Sequence, residues 1–132
     1  MKTITVSTGK KREIKDITAL VAKSLQGSDG TGLCHLFLTH TTAALTIADL
    51  DPGTDLDMLD AFEEIVPRLN YRHPHNPAHL PDHVLSSLIG VSLLVPWRRG
   101  ELILGTWQRV ILVELDGPRQ REIVISLIPE RQ

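Results

Sequence analysis

The sequence predicts a single α+β domain, in which mostly antiparallel strands form a sheet or sandwich against two to three helices. The length of 132 residues corresponds to one domain, residues 1–132. Helical spacing of apolar residues dominates the first two thirds of the chain, and short β-branched runs between turn residues dominate the last third. Hydrophobic residues make up 42% of the chain and aromatic residues 4%, so aliphatic side chains must fill the core.

The first third of the chain predicts three strands and one helix. Residues 2–7 alternate and are rich in β-branched side chains, which is typical of a strand. Asp16 is a predicted N-cap, because apolar residues recur at helical spacing after it, and Gly27 ends that helix. Residues 32–40 and 43–48 predict two further strands.

The remaining elements follow from the positions of proline and glycine. Pro52 opens a predicted helix with an acidic first turn, and Pro67 ends it. Residues 68–81 are rich in proline and histidine and predict an irregular loop. A short helix follows over residues 81–90. The C-terminal third then predicts strands at about 91–95, 101–105, 107–115 and 120–128.

Charge and hydropathy exclude several classes of protein. The net charge of -2 and the pI near 6.3 argue against a nucleic-acid-binding protein, which would show a basic stripe. We find no apolar run of the roughly 20 residues needed to span a bilayer, so no membrane partner is expected. The N-terminal sequence lacks the apolar segment of a signal peptide, which predicts a cytoplasmic protein. The single cysteine, Cys34, lies in an apolar run and predicts a buried, inert thiol.

His40 stands at the end of a strand whose same face is otherwise apolar. A buried imidazole without a partner costs about 1–3 kcal/mol, so it must be hydrogen-bonded or bind a ligand. Thr41 and Thr42 follow it and offer hydroxyl and amide groups, and the small Ala43 and Ala44 would leave space. The residues alone slightly favour a hydrogen-bonded strand-end histidine over a ligand-binding one.

Four of the six histidines crowd into residues 73–83, which raises a metal hypothesis because histidine is the commonest metal ligand. In an extended loop, His73 and His75 would point the same way, but exposed loop histidines are at least as consistent with the pattern. His79 and His83 are spaced as in helical zinc motifs, yet Pro81 lies between them and no Glu follows His79. A metalloprotease motif is therefore disfavoured.

Other polar residues interrupt the apolar C-terminal strands. Glu114 shares a strand face with apolar residues, so it lies either at a sheet edge or in a site where its carboxylate is paired. The sheet edge is favoured, because charged side chains are rarely buried. Trp107 is predicted to belong to the core. Arg119 and Arg121 in the turn "DGPRQR" either bind phosphate through paired N–H groups or decorate a hairpin.

Several motifs occur together in a fixed order: "HTTAALTI" at 40–47, "YRH" at 71–73, "GELILGTWQ" at 100–108 and "ELDGPRQR" at 114–121. In this combination the chain closely resembles the YjbQ family over nearly its whole length. The resemblance implies an α+β fold that assembles as a homotrimer. It matches His40, His73 and His83 to the recurring histidines of the family.

The resemblance also implies a polar site near a subunit boundary, with Asp57, Glu114 and Arg119 as candidates. Members are often described as secondary thiamine-phosphate synthases, which implies transfer of a pyrimidine pyrophosphate onto a thiazole phosphate as a weak side activity. The chain departs from the family at Ala48-Asp49, where an Asn-Glu or Asn-Asp pair is usual. The missing Asn amide changes the expected surroundings of the site and leaves the three matched histidines in place.

Three hypotheses follow. In the first, the chain is an enzyme acting on a small phosphorylated metabolite, in which His40, His73 and His83 hold a divalent metal such as Zn²⁺, or bind phosphate directly. His40, His83 and Glu114 would then be catalytic, Thr41, Thr42 and Arg119 would bind phosphate, and Mg²⁺ would accompany a pyrophosphate substrate. In the second, a non-catalytic trimer binds a metal or an anionic metabolite. In the third, the histidines cap strand ends and stabilise the trimer.

Overall fold

The computed structural model describes residues 1–74 and 76–131. Its regular elements, in chain order, are β1 (Lys2–Ser7), β2 (Glu13–Asp16), α1 (Thr18–Ser24), β3 (Thr31–Leu38), β4 (Ala43–Ala48), α2 (Thr54–Ile65), a 3₁₀ turn (Pro77–His79), α3 (Leu80–Ile89), β5 (Ser92–Arg98), β6 (Glu101–Leu102), β7 (Arg109–Glu114) and β8 (Gln120–Pro129). The predicted α+β class with mostly antiparallel strands is confirmed. The sequence prediction missed β2 and the 3₁₀ turn.

The strands form two antiparallel sheets. Sheet A has the order β1-β8-β3-β5-β6, and sheet B has the order β2-β7-β4. β3 is paired on both sides, with Leu36 opposite Leu93 of β5 and Ile125 of β8. β7 is likewise the central strand of sheet B, with Glu114 opposite Glu13 and Ala43. Glu114 therefore lies at the end of a central strand, and the preference for a sheet edge was wrong.

The core consists of two apolar layers on the two faces of sheet B. The inner faces of both sheets and α1 bury one layer, in which Cys34, Leu36 and Leu112 have no exposed surface. The other face of sheet B packs against α2 and α3. Because β7 alternates, Val110 and Leu112 point into the first layer while Ile111 and Val113 point into the second. The fold is thus a sheet–sheet–helix arrangement.

The two helices that cover sheet B are anchored differently. α3 buries Leu85 and Ser86, and the Ser86 hydroxyl donates to the carbonyl of Ala43 in β4 at 2.6 Å. α2 has no fully buried residue and contacts the sheet through half-buried side chains such as Met58 and Phe62. α2 is therefore a peripheral element, whereas α3 is fixed to the sheet next to the start of β4.

Two local predictions, the N-cap of α1 and the position of Trp107, need correction, and one, the burial of Cys34, is confirmed. Ile17, not Asp16, is the N-cap of α1, because Asp16 ends β2 and its carboxylate instead accepts the Thr18 N–H at 3.0 Å. Trp107 is 69% exposed, because it lies in the turn before β7 rather than in a strand, so its predicted place in the core was wrong. Cys34 is buried as predicted, and burial raises its pKa to about 11.

The outer face of sheet A is apolar and uncovered by any described element. The strand register puts Leu33 and Phe37 of β3, Leu94 of β5 and Ile128 of β8 on this face. Each of these side chains is about 40–55% exposed. Within the described residues no helix is long and apolar enough to cross a membrane.

Candidate functional site

A polar cleft opens where β3 ends and β8 begins. It has a volume of about 790 Å³. Its described lining includes the segment between β3 and β4, part of the β7–β8 turn and three histidines from the region around α3. The lining residues are Thr39, His40, Thr41, Thr42, His73, His79, His83, Asp116, Pro118, Arg119, Gln120 and Arg121. The fold thus brings together every predicted site residue except Glu114 and Asp57.

Glu114 lies directly behind this lining and is fully buried. Arg121, which is 2% exposed, forms an ion pair with it through Nε at 2.9 Å and through a second guanidinium nitrogen. The Thr8 hydroxyl donates to the same carboxylate at 2.7 Å, and the backbone N–H groups of Leu115 and Asp116 donate at 3.0 and 3.1 Å. Donors of the described chain therefore engage both carboxylate oxygens.

This environment determines the charge state of Glu114. Burial by itself would raise the pKa of the carboxyl group. The hydrogen bonds from Arg121 and Thr8 and the backbone N–H of Asp116 outweigh that effect and hold the pKa of Glu114 below its ordinary value. A carboxylate with a low pKa and occupied oxygens is a weak base, so the geometry favours a positioning role for Glu114.

The group that Glu114 positions is Arg121. Its guanidinium also donates to the carbonyl and the hydroxyl of Thr42, at 3.0 and 2.9 Å. The pair therefore fixes the segment between β3 and β4, which carries His40 and the threonines. The sequence pattern did not predict that Arg121 is buried, because its Thr42 partner is 79 residues away in the chain.

His40 is held by the first residues of β8. The backbone N–H of Glu122 donates to its Nε2 at 2.9 Å. Nε2 is therefore unprotonated, and Nδ1 carries the proton of the neutral imidazole. Burial first, and the charge of Arg121 second, lower the pKa of His40 below its ordinary value of 6.5. The expected hydrogen-bonded strand-end histidine and a place in a cleft lining are thus both found at this position.

His73 and His83 approach each other on another wall of the cleft. Their ring centroids lie 4.8 Å apart and the rings are tilted by 51°. His83 is in the first turn of α3, and His73 lies in the irregular segment after α2. His79, at the end of the 3₁₀ turn, has its Nδ1 3.9 Å from the Asp116 carboxylate. His75 lies outside the described residues.

Asp116 connects the cleft to a network of charges. Arg119 donates to its carboxylate at 3.0 Å and to its carbonyl at 2.8 Å, and Lys11 donates to the carboxylate at 2.7 Å. Burial would raise the pKa of Asp116, but the hydrogen bonds from Lys11 and Arg119 hold it below its ordinary value. Lys11 also contacts the buried Asp82 at 3.1 Å, and Arg12 contacts Asp82 at 2.7 Å. Arg119 is still 53% exposed and belongs to the cleft lining.

A metal site at His40, His73 and His83 requires a free lone pair on each imidazole. While Nε2 of His40 accepts from Glu122, its Nδ1 carries the proton and presents no lone pair. Among residues 1–74 and 76–131, no group of three His, Cys, Asp or Glu side chains is arranged to hold a metal ion. The described arrangement therefore does not fit a three-histidine metal site, and the metal stays an untested prediction.

Two residues singled out by the resemblance lie elsewhere. Asp57 is exposed on α2 and does not belong to the described lining of the cleft. Asp49, which follows Ala48 where the family usually has a pair beginning with Asn, accepts the Asp51 N–H at 3.3 Å. Neither side chain is part of the network around Glu114.

The fold and the cleft define a two-sheet α+β protein with a site rich in histidine and arginine at one end of its strands. The family model described as "UPF0047 protein YjbQ-like" matches residues 2–130. The chain belongs to this YjbQ-like family, as the sequence resemblance indicated.

Individual relatives agree with this assignment. The protein YugU of Bacillus subtilis is 38% identical over 130 residues, covering 97% of this chain and 98% of that protein. YjbQ of Salmonella typhimurium is 42% identical over 127 residues, covering 90% and 91%. The crystal structure of a YbjQ-like protein of unknown function from Sulfolobus solfataricus superposes with a TM-score of 0.88 at 33% identity, covering 98% of this chain and 96% of that one. These similarities show the fold and the family of the chain, and the names of these relatives state no activity.

Proposed function

We propose that this chain binds a small phosphorylated metabolite in the polar cleft and acts on it as an enzyme. The observation that carries this proposal is the composition of the cleft wall. Arg119, four histidines and the hydroxyls of the Thr39–Thr42 segment converge on one opening, with the buried Arg121 behind them. The acidic group of the described lining, Asp116, is engaged by Lys11 and Arg119. Arginine and backbone or hydroxyl donors are the groups that recognise phosphate oxygens in proteins.

Each residue has a distinct role in this proposal. Arg119, which is half exposed, supplies the cationic contact to the phosphate. Thr41 and Thr42 supply hydroxyl and amide donors, held in place by the Glu114–Arg121 pair behind them. His40 donates from Nδ1 because its Nε2 accepts from Glu122. His83, in contact with His73, is the group we assign to proton transfer.

The first test is a binding titration with inorganic phosphate and methyl phosphate, followed by NMR or calorimetry. Arg119→Ala should weaken binding by at least about tenfold, because a charge-assisted hydrogen bond contributes about 1.5–3 kcal/mol. Arg109→Ala is the matched control, because Arg109 is also about half exposed and also pairs with one carboxylate, that of Asp16. Equal losses in the two variants, or no phosphate binding by the parent, would refute the proposal.

A second test separates an enzyme from the non-catalytic binding protein that is the alternative. His83→Gln should abolish turnover of phosphate esters while phosphate affinity changes by no more than about threefold, and His35→Gln is the control. His35 is a partly exposed histidine that contacts Ser92 on the outer face of sheet A, outside the described lining of the cleft. Because the same face is proposed below as the trimer interface, the control counts only if analytical ultracentrifugation shows that His35→Gln has the assembly of the parent. If a panel of phosphate esters binds to the parent but none is turned over, the binding-protein alternative holds.

Thiamine-phosphate synthase activity is a finer form of the same proposal. It requires a pyrophosphate leaving group, whose departing charge Mg²⁺ would neutralise. Because Asp116 is engaged by two cations, Mg²⁺ would have to arrive with the substrate rather than on a protein carboxylate cluster. A metal analysis of the purified protein and of its His83→Ala variant tests the zinc prediction separately. Stoichiometric zinc in the parent that is lost in the variant would favour the metal-dependent form.

We also propose that the predicted homotrimer forms through the outer face of sheet A. Leu33, Phe37, Leu94 and Ile128 lie together there and are about half exposed. An apolar patch of this kind marks an interaction surface more often than free surface. Leu94→Lys should convert the assembly to a monomer in analytical ultracentrifugation, and Leu88→Lys on exposed α3 should not. A cytoplasmic location stays a prediction.

A further inference from the structure

The segment between β1 and β2, residues 8–12, holds the turn that carries Arg119. The N–H of Thr8 donates to the Arg119 carbonyl at 2.8 Å, and the Thr8 hydroxyl accepts the Arg119 N–H at 2.9 Å. The carbonyl of Lys11 accepts the Gly117 N–H at 2.9 Å. None of residues 8–12 is in the described lining of the cleft. The segment can therefore influence the cleft only through the residues that it contacts.

Lys11 is the residue of this segment that contacts the charged side chains of the turn. Its ammonium donates to the Asp116 carboxylate at 2.7 Å, and to the Leu115 carbonyl and the Asp82 carboxylate at 3.1 Å each. These contacts use all three N–H groups of the ammonium. Burial alone would lower the pKa of Lys11, but the hydrogen bonds to Asp116 and Asp82 outweigh it and raise the pKa above its ordinary value. Lys11 is therefore a charged link between α3, which carries Asp82, and the β7–β8 turn.

Asp116 connects Lys11 to Arg119. One oxygen of the Asp116 carboxylate accepts from Lys11 and the other accepts from a terminal nitrogen of Arg119 at 3.0 Å. The Asp116 carbonyl accepts from Nε of the same guanidinium at 2.8 Å. A guanidinium has five N–H donors in a rigid plane, so these two contacts orient the group and leave other donors for a ligand.

We infer that Lys11 is a positioning residue, which orients the guanidinium of Arg119 for anion binding by fixing the carboxylate of Asp116. This inference rests on the proposed function and adds to its site a residue outside the cleft lining. An exposed arginine loses side-chain freedom when it binds a ligand, and this loss weakens binding. Fixing Asp116 from its other side restricts Arg119 before the ligand arrives, so less freedom is lost on binding.

The test is a double-mutant cycle on the affinity for inorganic phosphate, with Lys11→Met, Arg119→Ala and the double variant at one ionic strength. Lys11→Met should weaken binding by about fivefold or more in the parent and by about twofold or less in the Arg119→Ala background. Lys15→Met is the matched control, because it removes an equal charge from β2, where the Lys15 ammonium donates to the Ser7 carbonyl at 2.7 Å. It should change the affinity by less than about twofold.

A second measurement follows Arg119 directly by NMR. In the parent, the Nε–H of Arg119 should keep its chemical shift when phosphate saturates the protein, because its contact with Asp116 persists in the complex. In Lys11→Met, the same N–H should exchange faster with water. A merely structural role of Lys11 would lower the free energy of unfolding without moving either the coupling in the cycle or this resonance.

The outcomes separate the inference from the proposed function. Equal weakening by Lys11→Met with and without Arg119 would overturn the inference and leave the proposed function standing, because Lys11 would then act through its charge alone. Loss of the contact between the Arg119 Nε–H and Asp116 in the phosphate-saturated parent would also overturn it. That measurement needs no variant, so it decides the matter even if Lys11→Met does not fold. Absence of phosphate binding by the parent would refute the proposed function and the inference together.

Discussion

Replacing Arg121 by Met removes the cation that neutralises the buried carboxylate of Glu114. The two side chains are 2% and 0% exposed, so water cannot easily replace the lost N–H donors. Breaking a buried pair by removing one partner costs about 3–5 kcal/mol, because an uncompensated charge remains. For a chain of this size each kcal/mol lowers the melting temperature by about 3–5 °C, so Arg121→Met should lower it by at least about 10 °C.

The assay is urea and thermal unfolding of the parent, Arg121→Met, Glu114→Gln and the double variant, at one protein concentration. The double variant should be less destabilised than the sum of the single variants by about 1–3 kcal/mol, because its groups no longer leave a charge unpaired. Arg109→Met is the control. Its partner Asp16 is about one third exposed, and a pair of that kind contributes about 1 kcal/mol or less.

The pH dependence of the folding stability tests the direction of the pKa shift of Glu114. The folded protein lowers the pKa of Glu114, so the contribution of the ionised pair is present above the ordinary carboxyl value of 4.5 and is lost as the pH falls through the lower folded value. The stability difference between parent and Arg121→Met should therefore shrink as the pH falls below 4.5. A loss of less than 1 kcal/mol in Arg121→Met at pH 7, or strictly additive single variants, would refute this reasoning.

Three further outcomes are expected. Asp82→Asn should destabilise the protein by about 2 kcal/mol in urea unfolding, since its buried carboxylate pairs with Lys11 and Arg12, and a loss below about 0.5 kcal/mol would contradict this. His40 should titrate below 6.5 in NMR spectra. Because the unfolded chain then binds this proton at a higher pH than the folded protein does, the free energy of unfolding should decline as the pH falls below about 6.5. The His40→Gln variant should lack this decline. Gly32→Ala should prevent normal folding by circular dichroism, because its Cβ would lie 2.1 Å from the carbonyl oxygen of Ile128 on β8.

The element positions were largely predictable because local patterns determine them. β1 and β4 occupy the predicted residues, and α3 spans Leu80–Ile89 where residues 81–90 were predicted. β2 was missed because Glu13–Asp16 has a single apolar residue, Ile14, and becomes a strand through pairing with β7. A strand that forms through tertiary pairing in this way cannot be recognised from the sequence pattern of four residues.

The cleft was predictable in its residue types and only partly in its arrangement. His40, Thr41, Thr42 and Arg119 were expected to act together, and the fold gathers them in one lining. The burial of Arg121 and the occupied oxygens of Glu114 were not predictable, because both residues depend on partners far away in the sequence. Thr8 donates to Glu114, and the oxygens of Thr42 accept from Arg121. Spacing in a sequence identifies a polar turn, whereas desolvation of a charge is set by packing in three dimensions.

The peripheral attachment of α2 has a consequence for motion at the cleft. A helix without a buried residue should open locally at a free-energy cost well below that of global unfolding, so its amide hydrogens should exchange with solvent long before those of β7. His73 lies on the segment that begins where α2 ends, and its ring contacts His83 on the firmly anchored α3. Local opening of α2 should therefore lengthen the tether of His73, and we expect the histidine pair to separate and reform on the timescale of that helix rather than that of the sheets.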